Sequence, residues 1–127
     1  MHTAARPMQH HHRRRKIPLL VRIVIAVAAT LGVLVVGLVI YVAHAERSAD
    51  RKAIAFCLAV KVGAAPAGLL ERGRAEGASV KQSHWTQLET GEQELDVVFE
   101  GATPLSRHVC AVQVKDAVTR ADYRYVD

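Results

Sequence analysis

At 127 residues the chain has room for one small domain. Its formal charge of +5 comes entirely from residues 1–22, which carry Arg6, Arg13, Arg14, Arg15, Lys16 and Arg22 and no acid. Residues 46–127 hold 11 basic and 12 acidic residues. That part lacks the basic face of a nucleic-acid binder, so no nucleic-acid partner is expected.

Residues 1–18 read as a basic, disordered tail. His10, His11 and His12 lie in it. Imidazole is a common metal ligand, but three adjacent histidines in a charged tail do not preform a coordination geometry. No metal and no cofactor are expected. The tail reads as a cationic segment that meets anionic headgroups.

Residues 19–45 read as a transmembrane helix. From Ile23 to Ala45 there is no Lys, Arg, Asp or Glu, and about 20 apolar helical residues span a hydrocarbon core. Arg13, Arg14, Arg15 and Lys16 precede it without acids, whereas Glu46, Arg47, Asp50, Arg51 and Lys52 follow as a mixed group. Basic excess marks the cytoplasmic side. The expected orientation is therefore N-terminus inside and residues 46–127 outside, in the periplasm of a bacterial inner membrane. Ala43-His44-Ala45 also matches a signal-peptidase site, which offers an alternative: a soluble binding or inhibitor protein released after Ala45. The apolar run is longer than the roughly 7–15 residues of a signal h-region, and retention is preferred. Ala28 and Gly32 form a small-x-x-x-small pair that offers a homodimer face.

Residues 46–127 read as an extracytoplasmic α+β domain. In "SADRKAIAFCLAVKVG", Ile54, Cys57, Leu58 and Val62 fall on one helical stripe, with Gly63 as a stop. A short second helix is expected after Pro66, with Leu69 and Leu70 to bury. "SVKQSHWTQL" alternates as a strand, with Trp85 on its more polar side. Gly91 marks a hairpin loop. "ELDVVFEG" follows with Leu95, Val97 and Phe99 on one face. "RHVCAVQVK" puts His108, Cys110, Val112 and Val114 on one side, and "ADYRYV" is a short fourth strand. The fold class is thus a single N-terminal transmembrane α-helix followed by a small α+β domain. Its helix packs on a three- to four-stranded antiparallel sheet.

Cys57 on a helix face and Cys110 on a strand face then meet. An even count outside the cytoplasm favours a disulfide, and closing a loop of that length stabilises by roughly 4 kcal/mol. The alternative is two buried thiols. This arrangement resembles, in architecture only, small single-pass bacterial envelope proteins, and it carries over no site residues.

No motif for catalysis stands out. Ser106, His108 and His84 are the only material for nucleophilic chemistry, and no Gly-x-Ser-x-Gly elbow is present. Glu89, Glu92, Glu94, Asp96 and Glu100 make an acidic hairpin that suits a soluble edge or a basic partner. Trp85, the only tryptophan, is the candidate partner contact if exposed, since such rings anchor interfaces. If the C-terminal segment with Tyr123 or Tyr125 covers it, Trp85 is core. The expected role is non-catalytic: a membrane-held domain that binds a protein partner in an envelope complex.

Overall fold

The computed structural model describes residues 17–127. Arg13, Arg14, Arg15, Lys16 and the three histidines lie outside the described residues. The elements run α1 (Leu19–Ala59), α2 (Leu69–Ala75), β1 (His84–Gln87), β2 (Gln93–Glu100), β3 (Arg107–Lys115) and β4 (Ala117–Val126). By compactness the chain divides at Val35/Val36.

The first unit is helical from Leu19, and its described side chains are exposed throughout. Thr30 is its polar exception, and its hydroxyl donates to the Ala26 carbonyl at 2.9 Å. Among the described residues, α1 is the one helix long and apolar enough to cross a membrane.

In the second unit, all four strands form one antiparallel sheet in the order β1-β2-β3-β4. The connections are short enough for sequential hairpins. Gly91, at φ 85°, makes the β1–β2 turn. Asp116, at φ 64°, alone joins β3 to β4, and Asp tolerates this left-handed conformation better than most residues. β4 is longer than the expected "ADYRYV" strand, because pairing with β3 continues back to Ala117 across a register shift at Gln113/Val114. β1 is shorter than expected. Val80 to Gln82 lie outside it, and the buried Ser83 hydroxyl accepts the Val98 N–H at 3.0 Å.

One sheet face carries Leu95, Val97, Phe99, Cys110, Val112 and Val118, which form the core with α1 and Leu69 of α2. The α1 stripe against it is Ala49, Ala53, Phe56 and Cys57, continued by Val60 just past the helix end. This corrects the expected stripe. Cys57 is buried, but Ile54 and Leu58 are 36% and 78% exposed, as is Val62 at 71%. Two alanines let the helix approach closely, and Phe56 supplies the bulk, packing on Phe99 with ring centroids 6.1 Å apart. Cys57 and Cys110 are disulfide-bonded, with Cα atoms 5.4 Å apart.

Gly73 of α2 sits tight against the sheet. A Cβ there would lie 2.6 Å from Val97 Cγ1. Gly73→Ala is therefore expected to destabilise the domain by about 1–3 kcal/mol through overpacking, read as a lowered urea midpoint. Val97→Ala will cost stability by itself, since Val97 is core, and the pair Gly73→Ala with Val97→Ala should lose less than the sum of the two; full additivity would mean that steric overlap is not the cause.

The opposite face is polar at its surface. Arg124 of β4 reaches across β3 to Glu94 at 2.9 Å and Asp96 at 2.7 Å on β2. Arg124 pairs with Val109, and Asp96 pairs with Ala111. The guanidinium stem thus shields those two buried side chains.

Candidate functional site

The most connected polar cluster joins α1 to the far end of the sheet. Glu46 and Asp50 stand four residues apart on α1, beside Ala49 and Ala53 of the buried stripe. That spacing puts both carboxylates on the face turned to the sheet. The loop 101–106, the start of β3 and the end of β4 complete the site.

Glu46 is saturated with donors. Its Oε1 accepts the Ala102 N–H at 2.8 Å. Its Oε2 accepts the Ser106 hydroxyl at 2.7 Å and meets His108 Nε2 at 2.9 Å. His108 is buried, its side chain 7% exposed. Its Nδ1 lies 2.9 Å from the Tyr123 hydroxyl, which donates to Asp50 Oδ1 at 2.6 Å. The Tyr125 ring flanks His108 at 5.1 Å between centroids. Gly101 leaves the space the carboxylate fills, since a Cβ there would overlap Glu46.

The proton count follows from these contacts. The hydrogen bond from His108, then those from Ala102 and Ser106, hold the Glu46 carboxyl down to about 2. It is ionised, so His108 Nε2 must donate to it. The single Tyr123 proton goes to Asp50. His108 thus lies between two carboxylates, facing Glu46 through Nε2 and the Tyr123 hydroxyl, with Asp50 behind it, through Nδ1. Burial, and then the Asp50 carboxylate that accepts its proton, push the Tyr123 hydroxyl up to about 12.

Ser106 and His108 do not hydrogen-bond to each other here. The Ser106 proton is directed at Glu46, not at His108. A carboxylate with so low a proton affinity is a poor base near neutral pH. His84 lies on β1, separated from β3 by β2, and binds the Gln82 carbonyl at 2.8 Å. The sequence singles out Ser106, His108 and His84 as material for nucleophilic chemistry but not Glu46, Asp50 and Tyr123 as their neighbours.

A pH dependence follows. The Glu46 carboxyl titrates lower in the folded state than its ordinary value of 4.5. Its contribution is complete above about 4.5 and is lost as pH falls toward about 2. Melting temperature is expected to drop across that window, and Glu46→Gln should flatten the drop. An unchanged acid profile in the variant would exclude Glu46 as its source.

The other sequence candidates fall elsewhere. Trp85 is 37% exposed on the edge strand β1 and stands opposite Leu95, on the core side of the sheet rather than the polar one. Tyr123 and Tyr125 belong to β4 at the opposite edge, so the C-terminal strand does not cover Trp85. Within the acidic group, Glu94 and Asp96 are taken by Arg124, and Glu100 accepts the Ser79 hydroxyl at 2.7 Å. Ala28 and Gly32 are exposed on α1. No group of three or more His, Cys, Asp or Glu side chains among the described residues is arranged to hold a metal.

Comparisons with protein families, with curated proteins and with solved structures gave no match.

Proposed function

We propose that this is a single-pass inner-membrane protein, N-terminus cytoplasmic, whose small periplasmic domain binds a protein partner in an envelope complex. Its role is non-catalytic. The observation that carries the reading is the continuity of α1. The helix runs unbroken from Leu19 to Ala59, from a wholly exposed apolar stretch into the core stripe of a disulfide-bonded domain.

Two further points support retention over release after Ala45. A peptidase needs an accessible, extended site, whereas Ala43, His44 and Ala45 are helical here. Glu46, the first residue past the site, is bound into the domain by three hydrogen bonds. The disulfide suits an oxidising compartment. Against catalysis stand the internal use of Ser106 and His108 and the low proton affinity of Glu46.

The candidate partner contacts are exposed apolar side chains. Leu58 and Val62 past the core stripe and Trp85 on β1 supply them. The test is photo-crosslinking in cells from positions 58, 62 and 85 of the full chain. A discrete crosslinked protein, lost with Leu58→Asp or Trp85→Ala while the domain stays folded, is the expected result. Crosslinks absent from all three positions would overturn the reading.

A further inference from the structure

The charged residues just past the apolar run are sorted by helix face. Glu46 and Asp50 are consumed in the His108 cluster. His44, Arg47, Ser48, Arg51 and Lys52 instead line a shallow groove of about 290 Å³. Among the described residues, Arg47, Arg51 and Lys52 form no ion pair. A sequence that is mixed in charge thus sets three cations along this groove, Arg47 and Arg51 on α1 and Lys52 with its Nζ near Gly77, while the neighbouring acids are held in the His108 cluster.

From these residues we infer that the groove binds the phosphate headgroup of an anionic phospholipid, in the leaflet on the domain's side of the membrane. The inference rests on the reading of α1 as a membrane span. At 1.5 Å per residue, Arg47 to Lys52 lie about 3–10 Å beyond Ala45 along the helix. The headgroup layer on each side of a bilayer is about 5–8 Å thick, so the groove and the phosphates share a depth. Arg47 and Arg51, one turn apart, offer planar donor forks suited to a phosphodiester. Ser48 adds a hydroxyl to one side of them, and Lys52 adds a point charge. The occupant is lipid because the groove opens where the exposed apolar helix ends. It is anionic because no described carboxylate neutralises the groove.

The test uses the full chain in vesicles of phosphatidylcholine, with or without phosphatidylglycerol. Alkaline extraction first reports whether the chain is integral. Release by native mass spectrometry then counts retained lipid. Retention of phosphatidylglycerol over phosphatidylcholine by at least about tenfold is expected. Arg47→Gln with Arg51→Gln and Lys52→Gln should abolish that preference. Neutralising Arg13, Arg14, Arg15 and Lys16 should leave most of it. Survival of the preference in the first variant, or its loss only in the second, would overturn the inference while leaving the span intact. Extraction of the chain by alkali would overturn both.

Discussion

Replacing Cys57 and Cys110 together by alanine is expected to lower the unfolding free energy by roughly 4 kcal/mol. Domains in general hold only about 5–15 kcal/mol, so the loss decides whether the fold survives. The bond joins a helix to a strand 53 residues later in sequence, and the long loop it closes is the reason for the size of the effect. Both cysteines are buried, at 9% and 0% exposure, so the loss combines the freed loop with lost packing. Chemical denaturation of the oxidised, reduced and doubly substituted protein measures it. Reduction and substitution should agree within the small packing difference. A reduced protein as stable as the oxidised one would mean that the link adds nothing to the fold.

The second large effect belongs to Glu46. Glu46→Ala strands the Ala102 N–H, the Ser106 hydroxyl and the buried His108 Nε2. Removing one partner of such a charge-assisted group costs about 2 kcal/mol or more. Gly101→Ala reaches the same end from the other side, because its methyl displaces the carboxylate. Both variants should loosen the same contact, so their effects should be markedly less than additive. Full additivity in thermal melts would show that Glu46 and Gly101 act separately. Hydrogen exchange should rise first at the start of β3, in the backbone around Ser106 and His108.

Much of this architecture was legible in the sequence, because its signals are long or absolute. A run without charge from Ile23 to Ala45 has few readings, and alternation through "ELDVVFEG" and "RHVCAVQVK" fixed β2 and β3. The Cys57–Cys110 pairing followed from placing each on an apolar face. The phase of α1 did not follow. Ile54 and Leu58 are the larger apolar side chains and drew the stripe toward themselves, but alanine at 49 and 53 permits closer approach to the sheet, and Phe56 fills the space. With the true phase, Glu46 and Asp50 fall beside Ala49 and Ala53, which is the signal that would have exposed the polar cluster. Its remaining members come from the loop 101–106, β3 and β4, and only the pairing of His108 with Tyr125 and of Cys110 with Tyr123 brings the tyrosines to it. Trp85 was misplaced for a related reason. Ser83 and Gln82 leave the strand, so alternation counted through them has no sheet to refer to.

We propose that one retained helix carries a disulfide-bonded domain outside the cytoplasm. The most direct test is the intact mass of the protein from membrane and soluble fractions, alkylated before and after reduction. The expected result is a 13.9 kDa species in the membrane fraction, with both cysteines blocked until reductant is added. A soluble species beginning at Glu46, or cysteines that alkylate freely in the untreated protein, would contradict it.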